Sequence, residues 1–509
     1  MSKTIIIIGA GLAGLSAALQ AAENGCNVKL VSSLPSERAQ SVMAEGGINA
    51  ALNTKDENDS PEEHFTDTIK AACGLADPNA VWGMTQAAPE LVHWLLKLGV
   101  KFNMSGYDDV DLRNFGGQKK KRTAFAQSDT GKQIMTAMID AVRRKEAFGM
   151  VERFSHHSFL TLRLCGNICC GCVIRDEYSQ ETVELPGDAV IVATGGMHGL
   201  FGNTTGSLSN TGEVTAELFR LGVPLANGEM IQYHPTTVKC GGKRMLISEA
   251  ARGEGGRLFA MKDGKQWYFM EEKYPELGNL MPRDITAREI WKVSHESEVF
   301  LDMTEISEEI ISNKLSGLAD DCMTYLHKDI RKEPVSVLPG IHYFMGGILV
   351  DEQHRTPIQN LCAAGECCAQ YHGANRLGGN SLLGALYGGR VAAKSACEQA
   401  DVVDLSCATQ IDFPPASQIS EIKQLNKVMQ ETMGVVRNEN TLLNGIQTVQ
   451  ALTGNLPLLG MAVLKSALAR KESRGAHWRG GYPKSNDNDY LKTCLLYTSP
   501  SPRDTERSR

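Results

Sequence analysis

The segment HGANRLGGNSL, residues 372–382, contains residues whose types and spacing suit the binding of an anion. Arg376 carries a permanent charge, and its planar guanidinium presents a fork that matches a carboxylate. Gly378 and Gly379 have no side chains, so the backbone can approach a bound molecule closely. The segment predicts a small-anion site next to a cofactor site.

The same segment predicts the beginning of a helix. Asn380 and Ser381 are residue types that cap helices, and the sequence from Leu382 to Glu398 favours a helix. The first turn of a helix leaves N–H groups unpaired, and these groups favour a negative charge or a polar ring edge. We therefore expect the helix to direct free donors at the predicted site.

The first residues of the chain predict the element that positions the cofactor. The apolar run Ile5–Ile8 leads into GAGLAG at residues 9–14, and a helical stretch from Leu15 to Asn24 and a second strand, Asn27–Ser32, follow. The glycines permit a tight turn, close approach to a pyrophosphate and close packing of the helix. A GxGxxG pattern alone is a weak signal, but this order of elements predicts a dinucleotide-binding domain.

Other segments fit the same domain. The acidic residue that usually binds the ribose at the end of the second strand is absent, and Ser32 and Ser33 occupy its place. We therefore expect hydroxyl groups to hold the ribose. Asp188–Gly196 is predicted to be a buried strand that ends in a glycine turn, although by itself it is only a strand end. Arg38–Leu52 is either a flexible loop with a short helix or backbone laid against a flat ring, and the N-terminal unit favours the second interpretation.

Composition limits the class of protein. The 509 residues are 42% hydrophobic and 22% charged, which is typical of a globular protein with two or three domains. The net charge of -7 argues against a nucleic-acid surface, and no apolar run is long enough for a membrane span. Met1–Thr4 leads directly into a strand without a secretory signal, so we expect a cytoplasmic protein.

Two features are expected to have no chemical role. Cys165, Cys169, Cys170 and Cys172 include one CxxC spacing, but no second pair follows, so buried reduced thiols on a strand pair are expected and no metal site is predicted. No iron–sulphur ligand set is visible either, so electrons must come from outside the chain. The basic run Lys119–Arg122 is predicted to be a solvated loop.

Taken together, these motifs resemble the flavoprotein subunit of the succinate dehydrogenase and fumarate reductase family, of which L-aspartate oxidase is a related branch. The resemblance extends from Ile5 to about Leu491. It is carried, in chain order, by GAGLAG, AEGGINAAL, ATGG, QYHPT, ISEAARGEGG, PRD, HYFMGGI, AAGE, HGANRLGGNSL and ESRGAH. The resemblance implies an FAD-dependent oxidoreductase of electron transport, such as anaerobic respiration, that acts on the CH–CH bond of a C4 dicarboxylate.

The resemblance also implies positions that contact FAD. They are Gly9, Gly11, Ala13, Gly14, Ser32, Ser41, Ala44, Gly46, Gly47, Glu366, Arg376, Ser381 and Leu382. Residues 210–214 read NTGEV where the family usually has NTGDG, so Glu213 is expected to face the cofactor with a longer reach.

Gln40 is a departure from the family pattern. In the membrane-complex members, a histidine of an R-S-H-T segment is bonded covalently to the flavin, and the matching run here is Arg38–Ala39–Gln40–Ser41. An amide cannot form this bond. We therefore expect non-covalent FAD with a lower potential, which favours the reduction of fumarate over the oxidation of succinate.

The resemblance implies an α/β fold with a Rossmann-type FAD-binding domain, an inserted α+β capping domain that is mobile, and a helical C-terminal domain. The expected bounds are 1–230 plus 345–407 for the FAD-binding domain, 231–344 for the capping domain and 408–494 for a truncated helical domain. Residues 495–509, LLYTSPSPRDTERSR, are expected to be a disordered tail of foreign origin. A ligand site is expected between the first two domains, since pockets favour domain junctions.

A C4 dicarboxylate needs cations and donors at both ends. By resemblance they are His234, Ser248, His342 and Arg376. Each has a simpler interpretation when it is considered alone: His234 as a structural side chain, for example, or Ser248 as the first residue of a helix. Their joint presence in matching motifs favours a substrate clamp.

Reduction of a double bond needs a hydride and a proton on adjacent carbons. By resemblance, reduced FAD supplies the hydride from N5, Arg283 donates the proton, and Glu249 and Arg252 relay protons from solvent, with His234 also at the catalytic centre. Arginine is a poor acid unless burial and nearby cations make its neutral form accessible. The alternative is that both arginines are fixed charges that polarise the substrate.

Three functions follow from the sequence. The first is a fumarate reductase flavoprotein, or the reverse succinate oxidation, with electrons from an iron–sulphur or flavin partner that also holds the chain at the cytoplasmic membrane. The second is L-aspartate oxidase. The third is a flavin electron carrier without a substrate of its own, which Arg283, His342 and Arg376 weigh against.

Overall fold

The computed structural model describes residues 2–106, 109–399, 405–408, 410–411, 413 and 418–498. The helices are α1 (Leu12–Glu23), α2 (Pro61–Ala71), α3 (Pro78–Leu98), α4 (Thr130–Ala147), α5 (Glu213–Arg220), α6 (Glu249–Gly253), α7 (Phe269–Lys273), α8 (Arg283–Val293), α9 (Glu308–Lys314), α10 (Ser316–Asp321), α11 (Asn380–Gln399), α12 (Ile419–Thr432), α13 (Glu439–Val449), α14 (Asn455–Ala469) and α15 (Asp487–Tyr490).

The strands are β1 (Thr4–Ile8), β2 (Asn27–Ser32), β3 (Ile48–Asn49), β4 (Leu112–Arg113), β5 (Thr123–Ala124), β6 (Val151–Ser155), β7 (His157–Cys165), β8 (Ile168–Asp176), β9 (Thr182–Pro186), β10 (Ala189–Val192), β11 (Leu225–Ala226), β12 (Ile231–Cys240), β13 (Lys243–Leu246), β14 (Arg257–Lys262), β15 (Lys265–Trp267), β16 (Val299–Asp302), β17 (Val335–Ser336), β18 (Leu338–Phe344), β19 (Gly347–Leu349), β20 (Leu361–Ala363), β21 (Cys368–Ala369) and β22 (Leu495–Leu496).

The central sheet is parallel, with the strand order β20-β10-β1-β2-β6. Its inner strands are apolar because both faces are covered, and every residue from Ile5 to Ile8 is buried. The structure confirms the predicted strand Asn27–Ser32 and the predicted strand within Asp188–Gly196, which is β10. This order is that of a Rossmann-type domain.

Helix α1 follows β1 after a turn that only glycine fits. A Cβ atom on Gly9, which has a φ of +110°, would lie 2.3 Å from the carbonyl oxygen of Ala193, and a Cβ atom on Gly14 would lie 1.8 Å from that of Gly9. The helix begins at Leu12 rather than at the predicted Leu15, because the turn ends at Gly11. This close packing positions the first turn of α1 at the end of β1.

Residues 231–344 form two antiparallel sheets and several short helices. One sheet has the order β13-β12-β18 and the other β15-β14-β16-β17. The second sheet packs with α8 around a cluster of buried side chains that includes Leu258, Ile290 and Leu301. The mixture of strands and helices agrees with the expected α+β type, and the exact domain bounds remain a prediction.

The C-terminal helices share a core with the parallel sheet. Leu425 and Met429 of α12 and Leu459 of α14 are buried in one apolar cluster with Val190 and Val192 of β10. The helices therefore pack on the sheet instead of forming a separate core. None of the helices in the described ranges is long and apolar enough to cross a membrane.

Two predictions about chain segments are wrong. Helix α11 begins at Asn380, and the side-chain oxygen of Asn380 accepts hydrogen bonds from Asn49 (2.7 Å) and His64 (2.9 Å), so this side chain belongs to a buried polar network and does not cap the helix.

Leu495–Leu496, expected in a disordered tail, pairs with β11. The rest of that predicted tail, from residue 499 onwards, lies outside the described residues.

The predicted solvated loop Lys119–Arg122 is also wrong at Arg122. Its side chain is fully buried and bonds Asp59 at 2.9 Å and Asp67 at 2.9 Å. In contrast, the cysteine cluster lies on the predicted strand pair, β7 and β8, where Cys169, Cys170 and Cys172 are buried and Cys165 is half-buried. All 14 cysteines are free thiols.

Candidate active site

A cavity of about 870 Å³ extends from the β1–α1 turn to the strands β12 and β18. The predicted site residues that line it are Gly9, Gly11, Ala13, Ser32, Ser41, Ala44, Gly46, Gly47, Glu213, His234, Ser248, Glu249, Arg283, His342, Glu366, Arg376, Ser381 and Leu382. Gly14 and Arg252 lie behind this lining: Gly14 packs against Gly9, and Arg252 bonds Glu249. The fold thus brings together motifs that are far apart in the sequence.

The end of the cavity at the β1–α1 turn fits a dinucleotide cofactor. The hydroxyl of Ser32, at the carboxyl end of β2, is buried without a hydrogen-bond partner in the described residues, and a ribose hydroxyl would satisfy it. The hydroxyl of Ser41 accepts a hydrogen bond from the N–H of Leu12 at 3.3 Å, which holds the 40–47 segment against the first turn of α1. These contacts fit FAD, and the predicted ribose role of Ser32 remains a prediction.

Gln40 lines the same cavity and is fixed in place. Its side-chain oxygen accepts a hydrogen bond from the N–H of Ser207 at 2.6 Å. Glu213 lies at the beginning of α5, where burial, followed by repulsion from Glu217, raises the pKa of its carboxyl. Both residues line the cavity.

The opposite end of the cavity contains two histidines on neighbouring antiparallel strands. His234 of β12 and His342 of β18 have ring centroids 5.1 Å apart. Nδ1 of His342 is 2.8 Å from the hydroxyl of Thr205. Burial, together with nearby arginines, holds the pKa of each histidine well below 6.5, so both imidazoles are neutral hydrogen-bonding groups at neutral pH.

Arg376 is a buried cation without an acidic partner. Only 3% of its surface is exposed, and its guanidinium has no hydrogen-bond acceptor among the described residues. The guanidinium lies over the ring of Tyr343, 4.3 Å from the centroid. Burial and the neighbouring Arg283 lower the pKa of Arg376 to about 9, so the site favours an incoming anion.

Arg283 and Arg252 share the carboxylate of Glu249. Arg283 donates from Nε (2.8 Å) and from one terminal nitrogen (2.5 Å) to Oε2 of Glu249, while Arg252 donates to Oε1 at 3.2 Å. Burial on its own raises the pKa of Glu249, but the two arginines outweigh it and lower the pKa, so the carboxylate stays ionised. The three charged groups form one continuous buried chain.

Ser248 both caps a helix and lines the cavity. Its hydroxyl accepts a hydrogen bond from the N–H of Ala250 at 3.4 Å and caps α6, and the residue also lines the cavity. The cap orients α6 so that Glu249 follows directly at the first helical position. The helix cap therefore does not exclude a substrate contact.

Several residues at the site were not predicted to have a role. Gln232 bonds Arg283, Thr205 orients His342, and Tyr343 stacks on Arg376. Gln232 stands two residues before His234 on one strand, a spacing that places side chains on the same face, so the sequence carried a signal for it. No sequence pattern indicated Thr205.

Comparisons with known proteins agree with this geometry. Residues 4–382 match the FAD binding domain family, and residues 453–508 match the family described as fumarate reductase flavoprotein C-term. The succinate dehydrogenase flavoprotein subunit of Bacillus subtilis is 38% identical, with 98% of this chain and 94% of the relative covered. The 8-methylmenaquinol:fumarate reductase flavoprotein subunit of Wolinella succinogenes is 32% identical, with 97% and 88% covered.

A solved structure shows the same fold. A mutant FrdA of Escherichia coli quinol fumarate reductase superposes with a TM-score of 0.88 at 27% identity, covering 98% of this chain and 96% of that one. The similarity therefore spans the parallel sheet, the inserted sheets and the C-terminal helices together.

Proposed function

The chain belongs to the family of succinate dehydrogenase and fumarate reductase flavoprotein subunits, FAD-dependent oxidoreductases, and from this premise we propose that it reduces fumarate to succinate. The observation that carries the proposal is Arg376, a buried guanidinium without an acceptor in the described residues, which lines one cavity with His234 and His342. A carboxylate is the group that such a guanidinium binds best.

We infer the following roles for the residues of this chain. Arg376 holds one carboxylate of the substrate, while His234, His342 and Ser248 donate to the dianion. When it is bound, FAD supplies the hydride that reduces the double bond. Arg283 donates the proton to the adjacent carbon, which completes succinate, and the same groups act in reverse for succinate oxidation.

The proton returns to Arg283 through its buried neighbours. Glu249 accepts hydrogen bonds from both Arg283 and Arg252, so a proton taken up by Arg252 has a direct path through the carboxylate. Arg252 also donates to the carbonyl oxygen of Asn279 at 2.7 Å, which fixes its orientation. The alternative role of both arginines, as fixed charges that polarise the substrate, predicts activity in a lysine variant of Arg283.

We propose that FAD is held without a covalent bond to Gln40. The amide is not a nucleophile, and its oxygen is engaged by the N–H of Ser207. After acid precipitation of the purified protein, we expect the yellow colour in the supernatant. Yellow colour that stays with the pellet contradicts this attachment.

The geometry favours fumarate over L-aspartate, and a substrate site over a carrier role. An amino acid substrate brings an ammonium group, and the carboxylate beside Arg283, that of Glu249, is already bonded by two arginines. A carrier without a substrate has no use for the buried, unpaired Arg376. The names of the relatives described above support the same choice.

We further propose that electrons come from a separate iron–sulphur or other electron-transfer subunit, which also places the chain at the cytoplasmic side of a membrane. The name "flavoprotein subunit", which both relatives carry, supports an assembly of several chains. No cluster of three or more metal-ligating side chains occurs in the described part of the chain.

One assay tests the function. Under anaerobic conditions, we expect fumarate-dependent oxidation of reduced viologen by the FAD-loaded protein, and in air we expect no peroxide release from L-aspartate. Peroxide release from L-aspartate favours the oxidase, and no response to either substrate favours the carrier.

A further inference from the structure

We propose that Gln232 is a positioning residue that holds Arg283 at a fixed place relative to Arg376. This inference rests on the proposed function, in which Arg283 donates the proton and Arg376 binds a carboxylate. The two arginines lie on separate segments, at the beginning of α8 and just before α11, so their spacing is not set by either segment alone. A side chain that bonds both segments sets it.

The hydrogen bonds of Gln232 have this arrangement. The side chain is fully buried, its oxygen accepts from a terminal nitrogen of Arg283 at 3.0 Å, and its nitrogen donates to the carbonyl oxygen of Arg376 at 2.8 Å and to the side-chain oxygen of Asn375 at 3.0 Å. Arginine has only donors, and the other two partners are acceptors, so just one orientation of the amide satisfies all three bonds. The glutamine is therefore locked between the two segments.

A second pair of side chains closes a ring. Asn375 donates to the carboxylate of Asp284 at 3.0 Å, and Asp284 follows Arg283 directly in α8. The beginning of α8 is thus tied to the 375–376 segment at two adjacent residues, once through Gln232 and once through Asp284. Two attachment points restrict rotation as well as translation of Arg283.

The lock determines which N–H groups of Arg283 remain for the substrate. A guanidinium has five N–H donors. Glu249 accepts from two of the nitrogens and Gln232 from the third, which leaves one N–H on each terminal nitrogen without a partner in the described residues, at a cavity that Arg283 lines. Misplacement of a reacting group by about 1 Å costs on the order of 100-fold in rate, so this arrangement acts on turnover.

The test replaces Gln232 by methionine, which has a similar length and no strong hydrogen-bonding group. For Gln232→Met, we expect kcat for fumarate to fall by about 30-fold or more, while KM and the calorimetric Kd for malonate change by less than about threefold. The matched control is Gln20→Met, a buried glutamine on α1 whose amide nitrogen bonds only Asn24 among the described residues. Its kcat should stay within about twofold of the wild type.

A second variant, Gln232→Glu, keeps the packing and the acceptor for Arg283. It replaces the donor by an oxygen that faces the carbonyl of Arg376, and it adds a negative charge beside the substrate site. The added charge is expected to raise KM for fumarate and Kd for malonate, and the lost bond to the 375–376 segment is expected to lower kcat by about 30-fold or more. If Gln232→Met does not fold or does not retain flavin, Gln232→Glu tests the positioning role of Gln232 in its place.

The inference is overturned if folded, flavin-loaded Gln232→Met keeps kcat within about twofold, or if it loses malonate binding in proportion to kcat, since a glutamine that merely keeps the site folded would affect both equally. A kcat in Gln232→Glu within about twofold of the wild type overturns it as well. If the wild-type protein itself shows no fumarate reduction, the proposed function fails and this inference fails with it.

Discussion

At the scale of single residues, the site separates charges that are paired within the protein from charges that await a ligand. Arg283 and Arg252 share Glu249, whereas Arg376 has no salt bridge in the described residues and lies over the ring of Tyr343. An unpaired buried charge is costly, so its presence indicates a ligand of opposite charge.

Arg283→Lys is expected to lose nearly all turnover and still bind fumarate. Lysine keeps the positive charge, but its single ammonium cannot bond Glu249 through two nitrogens and Gln232 through a third. Steady-state kinetics with reduced viologen and calorimetry with fumarate check the two halves. Substantial turnover in this variant would instead support the role of a fixed charge.

The affinity for fumarate should depend on pH above neutrality. The guanidinium of Arg376 has a pKa of about 9, so it loses its charge as the pH rises through this value. We therefore expect Kd for the fumarate dianion to rise in this pH range. His234 and His342, with pKa values well below 6.5, are neutral throughout, so Kd should be flat from about pH 7 to about pH 8. Dimethyl fumarate, which is uncharged, is the control, and a flat Kd up to about pH 10 contradicts the prediction.

At the scale of elements, the β1–α1 turn shapes one end of the cavity, and a buried ion-pair contact joins α2 to β5. The turn depends on the backbone, because its glycines have no side chains and let the helix start close to the strand. The contact is electrostatic, because Arg122 next to β5 bonds Asp59 and Asp67 around the beginning of α2. Each can be tested with a neighbouring or matched substitution.

Gly14→Ala is expected to prevent flavin binding. Its Cβ atom would lie 1.8 Å from the carbonyl oxygen of Gly9, so α1 must move away from β1. Such overpacking typically costs about 1–3 kcal/mol or more in the free energy of unfolding. The ratio of flavin absorbance to protein measures the effect. Gly481→Ala is the control because a Cβ atom at that position would have no neighbour within 4 Å, and equal flavin content in both variants would contradict the prediction.

Arg122→Ala should destabilise the protein by about 3–5 kcal/mol, because Asp59 would remain buried without its partner. Lys121→Ala, at the adjacent exposed position, should change the free energy of unfolding by about 0.5 kcal/mol or less. Denaturant unfolding of both variants gives the comparison. Equal changes in the free energy of unfolding for the two variants would mean that Lys119–Arg122 is solvated, as the sequence predicts.

At the scale of the whole molecule, a buried charge network joins the segment after α14 to the residues that lead into the inserted region. Glu472, with no exposed surface, accepts from Arg470 at 2.8 Å and from Arg474 at 2.8 Å, and Arg470 also bonds Glu229 at 2.6 Å. Glu229 lies just before β12, which carries His234. The network therefore connects the C-terminal segment to the strand that carries His234 of the proposed substrate clamp.

Glu472→Gln should lower the free energy of unfolding by about 3 kcal/mol near neutral pH. Burial raises the pKa of Glu472, but the hydrogen bonds from Arg474, Asn486 and Arg470 outweigh burial and lower it below 4.5. A lowered pKa adds stability above 4.5 that is lost as the pH falls through the folded-state pKa, so the difference between variant and wild type should shrink in acid. Glu439→Gln, at a half-exposed position, is the control. A difference that is independent of pH contradicts this linkage.

The sequence by itself determined the elements whose signals are local. The apolar run and glycines of residues 5–14 are sufficient for a strand, a tight turn and a helix, because the packing there depends on residues a few positions apart. The resemblance of ordered motifs predicted FAD and a dicarboxylate clamp, and the structure places the predicted clamp residues His234, His342 and Arg376 around one cavity.

Only the tertiary structure decided the properties that depend on residues distant in the chain. Arg122 is read as solvated from its basic neighbours, and it is buried because Asp59 and Asp67 meet it from another segment. The spacing of Gln232 from His234 places both on one face of a strand, but its bonds to Arg283 and Arg376 arise only because α8 and the 375–376 segment converge on it. Burial and pairing of charge are set by contacts between distant segments, and a local pattern carries no information about them.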